Sequence, residues 1–184
     1  MKGIVFNLLE AVVTRDHGPD TWDAMLDASG LDGAYTALGN YPDDHLFRLV
    51  GAASSALRLP APAIVRHFGR AALPLLAGRY PAFFSPHSDT RSFLLSLNVI
   101  IHPEVRKLYP GADTPDFVFD ASSSEQLVME YQSARRLCAF AEGMIEGAAT
   151  HYGETVRIDH AKCMHHGAAR CRLELIFVRV AATA

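Results

Sequence analysis

IHPEVRKLYPGA, at residues 101–112, presents a single histidine, His102, at the end of an apolar run. Further along the chain, YQSAR at residues 131–135 offers Tyr131, Ser133 and Arg135 at alternate positions. In an extended segment, residues two apart point to the same side, so these three side chains would face one target. Arginine matches a carboxylate with a fork of donors, and two hydroxyls add further donors. The two segments therefore predict a site that holds a metal from one side and carboxylates from another.

Haem has both requirements. Its iron takes a neutral imidazole nitrogen as an axial ligand, its propionates need donors, and the apolar run before His102 would supply a wall for the porphyrin. Each segment alone has a simpler interpretation. His102 could be a core histidine bonded to a backbone carbonyl, and the Tyr131-to-Arg135 motif could be a strand edge with a packed tyrosine and a solvated arginine. The combination favours a haem site.

The composition is that of an ordinary globular chain that fits one domain. It has 184 residues, of which 49% are apolar and 20% charged, and the formal net charge is −3. This balance offers no surplus of cations for phosphates, so no nucleic-acid partner is expected. No segment reaches the ~18 uninterrupted apolar residues of a membrane span. Asn7 and Glu10 interrupt the apolar start, so no signal peptide is predicted and a cytoplasmic location is expected.

Hydrophobic periodicity predicts a helical first half and an antiparallel sheet with one embedded helix in the second half, an α+β order. The predicted helices are 4–13, one that opens at 20–21, 43–57, 62–76, 88–105 and 135–150. The predicted strands are 117–120, 127–131, 155–160 and 172–178. Pro74 is expected to kink or shorten the fourth helix. A large ligand can be buried where the two halves meet.

Three stretches resemble the haem nitric oxide/oxygen binding (H-NOX) family, the gas-sensing domain of bacteria and of animal guanylate cyclases. The family hallmark Tyr-x-Ser-x-Arg is intact at residues 131–135, His102 and the following EVRKLYP resemble the proximal histidine motif, and the opening MKGIVFN resembles the family's start. The likeness extends from Met1 to about Val178. It implies one domain over residues 1–184, with a helical subdomain at about 1–60, a haem-proximal subdomain at about 61–180, and haem b buried between them.

The resemblance also implies roles for single residues. His102 would be the axial ligand, and Tyr131, Ser133 and Arg135 would bind the propionates. Pro115 resembles the family proline that presses on the porphyrin and bends it. The other expected pocket residues are Val5, Leu9, Leu73, Pro74, Leu97, Ile101, Phe140 and Met144.

The expected gas follows from the distal side of that pocket. Family members that bind oxygen stably place a tyrosine in the helix after the propionate motif, and the matching position here is Phe140. The remaining distal candidates carry no strong donor. We therefore expect nitric oxide and carbon monoxide to bind and oxygen to be excluded, unless Phe140 faces the core away from haem.

By the same resemblance, nitric oxide would weaken the bond between iron and His102. The helix that carries His102 could then shift, haem would flatten against Pro115, and the two subdomains would rotate. Because 184 residues leave no room for a catalytic domain, the chain is expected to be a sensor and not an enzyme. It would act on a separate signalling protein, such as a histidine kinase or a diguanylate cyclase.

The three cysteines and one histidine form a candidate metal site. Tetrahedral zinc takes four thiolate or imidazole ligands, and these could be Cys138, His160, Cys163 and Cys171. Their order is similar to that of a zinc site in some bacterial H-NOX proteins. Alternative ligands nearby are His151, His165 and His166. Three unrelated thiols are the simpler alternative.

Two other functions stay open. A zinc/thiol redox sensor on the same fold would take cysteine oxidation as its input, with haem merely bound. An enzyme is the weaker alternative, because no Gly-x-Ser-x-Gly elbow and no phosphate loop are found. The cluster Asp43-Asp44-His45 fits a helix N-terminus better than a catalytic group.

Overall fold

Four antiparallel strands in the order β1-β2-β4-β3 form the sheet, and helices precede and flank it in this computed structural model, which describes residues 1–180. The helices are α1 (Gly3–His17), α2 (Pro19–Ser29), α3 (Asp43–Leu57), α4 (Ala61–Arg79), α5 (Pro81–Phe84), α6 (Thr90–Ser96), α7 (His102–Leu108) and α8 (Cys138–His151). The strands are β1 (Asp116–Asp120), β2 (Leu127–Gln132), β3 (Glu154–Lys162) and β4 (Cys171–Arg179). The predicted α+β order is confirmed. None of the helices in these 180 residues is long and apolar enough to cross a membrane.

Apolar side chains form two cores that meet along α4. One core joins α1, α2 and α3 to the first part of α4, and it contains the fully buried Phe6 and Leu49. The other lies between the sheet, α8 and the second part of α4, and it contains Leu127 and Leu173. The subdomain boundary expected near residue 60 falls just before α4, yet α4 itself belongs to both cores. It is therefore a wall that the two halves share.

Glycines bring α4 and α8 into close contact. A Cβ at Gly143 would overlap the carbonyl oxygen of Arg66, and one at Gly69 would overlap the carbonyl oxygen of Phe140. Only glycine, which has no side chain, allows backbones to approach this closely. The contact fixes the position of α8 and places the ring of Phe140 against Phe68 of α4, with centroids 5.1 Å apart.

The single helix predicted over 88–105 is wrong, because the structure has three elements there. A π-helical turn over Leu97–Ile101 separates α6 from α7, and the N–H of His102 bonds to the carbonyl of Leu97. Pro103 has no N–H, and its ring would crowd the carbonyl one turn earlier in a regular helix. A wider turn relieves that clash. Asn98 then donates from Nδ2 to the carbonyl of Phe117 at 2.7 Å, which ties the turn to β1.

Two other helix ends differ from the prediction. Pro74 does not shorten α4, which continues to Arg79. The ring of Pro74 is exposed, and Leu73 and Ala77 on either side of it are buried in the second core, so packing outweighs one lost hydrogen bond. The last helix begins at Cys138 and not at 135, because Arg136 has a φ of 50° and ends the turn that precedes it.

Candidate functional site

A cavity of about 360 Å³ lies between the two cores. Apolar side chains from α1, α4, α6 and α8 form most of its wall. Polar lining residues come from α7, from the end of β2 and from other segments that include Lys2, Asn40 and Thr114. The seven lining residues that the sequence singled out as pocket walls are Val5, Leu73, Leu97, Ile101, Pro115, Phe140 and Met144. His102, Tyr131, Ser133 and Arg135 line the same cavity. The fold thus brings together two motifs that are about 30 residues apart in the chain.

His102 begins α7 and faces this cavity from one wall. Its ring stacks on Phe117 of β1, with centroids 5.4 Å apart, and its Nδ1 is buried with no hydrogen-bond partner among the described residues. Burial, assisted by the positive charge of Arg106, lowers the pKa of His102 to about 4. The imidazole is therefore neutral near pH 7, which is the form that binds iron.

Tyr131, Ser133 and Arg135 lie along one edge of the cavity. Tyr131 is the last inward-facing residue of β2, and burial raises the pKa of its hydroxyl to about 12, so it stays a donor. Ser133 and Arg135 follow the strand, and the backbone N–H of Arg135 donates to the hydroxyl of Ser133 at 3.3 Å. The arrangement presents hydroxyl and guanidinium donors on one side, as carboxylate binding requires.

Arg135 also joins the two halves of the molecule. Its Nε donates to Oδ2 of Asp43, at the start of α3, at 2.8 Å. Its Nη1 donates to the carbonyl of Asp113 at 2.8 Å and lies 3.0 Å from a carboxylate oxygen of the same residue. The sequence assigned Asp43 only to a helix N-terminus, and no local pattern could have paired it with Arg135. These carboxylates hold the guanidinium in place beside the cavity.

Two residues expected in the pocket do not line this cavity. Leu9 faces the helical core, where it borders a separate apolar cavity of about 90 Å³ among α1 to α4. Pro74 lies on the exposed side of α4, one residue beyond the buried Leu73. Both assignments were wrong because neighbouring residues of a helix point in different directions, and the rotation of a helix is set by packing that sequence spacing alone does not reveal.

A pair of tyrosines adds polar groups that the sequence did not predict. Tyr80, just after α4, and Tyr109, just after α7, line the cavity, and their hydroxyls hydrogen-bond to each other. Burial, with the contribution of that bond, raises the pKa of Tyr109 to about 12. Because each hydroxyl has the other as a partner, the two side chains tie the end of α4 to the end of α7.

A second site lies beside the first, at the end of the sheet. Cys138 begins α8, His160 lies on β3, Cys163 follows β3 and Cys171 begins β4. We call these four residues the thiol–imidazole cluster. Their ligand atoms all lie within 4.8 Å of one another, and the sulfurs of Cys138 and Cys163 are 4.0 Å apart. Sulfurs on one tetrahedral zinc are roughly 3.8 Å apart, so the cluster has the dimensions of a zinc site.

The three alternative histidines lie outside the cluster. His151 packs between Phe84 and Tyr152, and His165 pairs through Nε2 with the carbonyl of Arg136 at 2.8 Å. His166 lies in the 3-10 turn between β3 and β4.

Burial and the neighbouring thiols raise the pKa of Cys138 to about 12, and burial also raises the pKa of Cys171.

One row of the sheet connects the two sites. Phe117 of β1, which stacks on His102, pairs with Tyr131 of β2, and Tyr131 pairs with Cys171 of β4. Residues paired directly across antiparallel strands point to the same face. The wall of the cavity and the thiol–imidazole cluster are therefore successive positions on one buried face.

Known proteins with this sequence pattern and fold include haem proteins. The family model described as Haem-NO-binding matches residues 2–160. An H-NOX protein from S. oneidensis in the Fe(II)NO ligation state is 32% identical, with 97% of this chain and 100% of that chain covered at a TM-score of 0.92. An H-NOX domain from Shewanella oneidensis in the Fe(II)CO ligation state is also 32% identical, with 98% and 100% covered at a TM-score of 0.89.

A more distant structure shares the fold. The unliganded Fe(II) H-NOX protein from K. algicida is 24% identical, with both chains fully covered at a TM-score of 0.86. The family model covers most of the chain, and the S. oneidensis proteins are similar over nearly all of it. This chain therefore belongs to the Haem-NO-binding family, whose members are called H-NOX proteins.

Proposed function

We propose that this protein is a haem-based sensor that binds nitric oxide at ferrous haem, excludes stable oxygen binding, and passes the signal to a separate cytoplasmic protein. The observation that carries the proposal is the cavity between the two cores, which has a neutral histidine on one wall and the hydrogen-bond donors Tyr131, Ser133 and Arg135 at one edge. The orphaned Nδ1 and the low pKa of His102 fit a metal ligand better than a histidine that is merely packed.

Different residues of the chain would bind different parts of haem. His102 would bind the iron, which supplies the position at which a diatomic gas binds. Tyr131, Ser133 and Arg135 would hold the propionates, with Asp43 and Asp113 keeping the guanidinium in place. Pro115 lines the cavity and would press against the porphyrin.

Selectivity among gases rests on the wall formed by α1, α4 and α8. Val5, Leu73, Phe140 and Met144 line the cavity from these helices, and none of them can donate a hydrogen bond. Phe140 faces the cavity and packs on Phe68, so it does not point away into the core. Oxygen bound to ferrous iron needs a donor for long retention, whereas nitric oxide does not.

The output would start at His102. As long as His102 is bound to iron, α7 is tethered to the centre of the molecule. A His102 released from iron would leave α7 held by the π turn, the packing of Val105, the Arg106–Thr114 hydrogen bond and the Tyr80–Tyr109 pair. A shift of α7 relative to α4 would then change the surface that a histidine kinase or a diguanylate cyclase recognises.

The visible absorption spectrum of the reduced, haem-loaded protein tests this function. We expect a five-coordinate high-spin spectrum that air leaves unchanged and that nitric oxide shifts to a five-coordinate nitrosyl spectrum. A stable oxy spectrum would overturn the selectivity. Tyr80→Phe would then test whether the hydroxyl of Tyr80, which lines the cavity, is the donor. A protein that fails to take up haem would overturn the sensor function itself.

We also propose that the thiol–imidazole cluster binds one structural zinc ion. The supporting observations are the convergence of three sulfurs and a ring nitrogen of His160 within 4.8 Å, and the burial of His160 Nε2 with no hydrogen-bond partner among the described residues. Metal analysis of protein purified without an affinity tag should find about one zinc per chain. A content near zero under reducing conditions would contradict the proposal.

The zinc site supports a second candidate input, since oxidation of its cysteines would release the metal. The two inputs can be separated with one variant. If both exist, Cys163→Ala should remove a response of the signalling partner to peroxide and leave its response to nitric oxide intact. A partner that responds to peroxide alone would make the redox role the principal one.

A further inference from the structure

We propose that Glu142 is the positioning residue of the thiol–imidazole cluster. Its carboxylate accepts a hydrogen bond from the Nδ1–H of His160 and thereby leaves Nε2 to bind a divalent cation of the zinc class. The inference rests on the proposed zinc site and adds a residue to it that supplies no ligand atom.

The geometry for this role is present in the structure. Glu142 lies one helical turn after Cys138 on α8, so both side chains project from the same face of the helix. Oε1 of Glu142 is 2.6 Å from Nδ1 of His160. Nε2 of the same ring is buried and has no hydrogen-bond partner in the described part of the chain, and a ring nitrogen of His160 converges with the three sulfurs.

The tautomer of His160 follows from that contact. A neutral imidazole carries one proton, and a carboxylate can only accept, so the proton lies on Nδ1. Nε2 then carries the free lone pair, and because Glu142 occupies Nδ1, Nε2 is the nitrogen left for a metal. A carboxylate behind a metal-bound histidine also makes the coordinating nitrogen more basic and fixes the ring orientation.

Arg66 of α4 makes a buried carboxylate tolerable at this position. The side chain of Glu142 is only 9% exposed, and its second oxygen lies 2.6 Å from Nη1 of Arg66. The other donors of Arg66, Nε and Nη2, bond to Glu146. Arg66 therefore occupies only one oxygen of Glu142, and Oε1 stays available to His160. Three thiolates and one neutral imidazole around a divalent cation carry one net negative charge. The guanidinium offsets the further charge that Glu142 adds nearby.

The chain of contacts reaches beyond the metal site. Arg66 and Phe68 lie on α4, and Glu142 and Phe140 lie on α8, where glycine contacts hold the two helices together. The carboxylate of Glu142 thus links β3 to the helix pair that forms one wall of the gas-binding cavity. A metal held by the cluster would stabilise that wall directly through Cys138 of α8 and, by way of His160, through the charge-paired side chain of Glu142.

Zinc affinity of purified protein, measured by competition with a chromophoric chelator at fixed pH, tests the assignment. We expect Glu142→Gln, which keeps the size of the side chain, to weaken zinc binding about 10- to 100-fold. Glu146→Gln is the matched control, because Glu146 shares Arg66 and lies one turn further along α8 but does not touch His160. Its zinc affinity should stay within about threefold of the wild type, the range expected when a ligand's own partner is intact.

A double-mutant cycle separates positioning from general structural support. In a His160→Cys background the fourth ligand is a thiolate that needs no proton acceptor behind it, so Glu142→Gln should then change zinc affinity by less than about threefold. An equal loss in both backgrounds would overturn the positioning role. If Glu142→Gln fails to fold, Glu142→Asp provides the same comparison, with a shorter reach to Nδ1.

The possible failures are distinguishable. A wild-type protein that binds no zinc would overturn the metal site and this inference together. A wild-type protein that binds zinc tightly, with Glu142→Gln equally tight, would overturn the inference alone. Nitrogen NMR of His160 in the zinc-loaded protein gives an independent readout, since the inference requires metal on Nε2 and a proton on Nδ1. Metal on Nδ1 would contradict it.

Discussion

At His102, the burial that isolates the imidazole also prepares it to bind iron. A pKa of about 4 keeps the ring unprotonated near neutral pH, so no proton competes with a metal there. The stacking contact with Phe117, which also lines the cavity, restricts the orientation of the ring. Burial of the His102 imidazole away from water destabilises the haem-free protein, and metal binding would offset that cost.

Replacement of His102 tests its role as the axial ligand. We expect His102→Gly to lose haem on gel filtration and to retain it when imidazole is supplied, because free imidazole fits the space that the side chain leaves. The measurement is the ratio of Soret to protein absorbance. His166→Gly, at an exposed position, is the control and should keep haem without imidazole. Full retention by His102→Gly alone would refute the assignment.

Phe140→Tyr tests the selectivity at the scale of one atom. The added hydroxyl would enter the cavity from α8 and supply a donor to bound oxygen, so we expect a stable oxy spectrum in air that the wild type lacks. Phe68→Tyr, at the neighbouring ring, is the comparison. A Phe140→Tyr protein that still fails to retain oxygen would mean that the ring does not reach the gas.

Among the secondary-structure elements, α6 depends on one acidic cap. Oδ1 of Asp89 accepts from the backbone N–H of Ser92 at 2.7 Å, and this bond holds the pKa of Asp89 below its usual value. We expect Asp89→Ala to lower the free energy of unfolding by about 1 kcal/mol at pH 7, measured in urea. Asp89→Asn, which keeps the cap acceptor, should cost less.

The pH dependence of that cap has a definite sign. Because the folded pKa of Asp89 lies below the unfolded one, the ionised carboxylate stabilises the protein above about pH 4. The contribution is lost as the pH falls through the lower, folded pKa. The difference between wild type and Asp89→Asn should therefore shrink over the interval that begins at about pH 4 and ends below the lowered, folded pKa. A difference that is constant over that interval would contradict a charged cap.

The close packing of α4 on α8 depends on glycines at the contact. We expect Gly143→Ala to destabilise the fold by about 1–3 kcal/mol, because its Cβ would overlap backbone that cannot move without separating the helices. Gly78→Ala on α4 is the matched control, with nothing within 4 Å of the added carbon. It should stabilise the protein by about 0.5–1 kcal/mol. Equal effects at the two positions would contradict close packing as the cause.

For the molecule as a whole, the cavity and α4 make the two cores interdependent. Haem that contacts both cores should stabilise them together, by about 2.7 kcal/mol at a hundred times its dissociation constant. For a chain of this size, this corresponds to a rise in Tm of roughly 5–11 °C. Calorimetry of the haem-free and haem-loaded proteins checks this. Two separate transitions, with only one shifted by haem, would show that the cores unfold independently.

Local pattern was sufficient for the element order, the family and the candidate ligands. Hydrophobic periodicity depends on residues a few positions apart, so it located most helices and all four strands to within a few residues. The motifs around His102 and Tyr131 are contiguous, so the residues could be identified before their surroundings were known. The same applies to the Cys138-to-Cys171 order of the thiol–imidazole cluster.

Contacts between distant residues decided the rest. Asp43 and Arg135 are 92 positions apart, and Glu142 meets His160 across 18 positions from a different element. The π turn before Pro103 and the rotation that exposes Pro74 likewise depend on what packs against each helix. Sequence alone determined which chemical groups this protein has and in what order. Only the tertiary structure decided which groups share a cavity and a proton, because packing and hydrogen bonding act between atoms that are close in space and not along the chain.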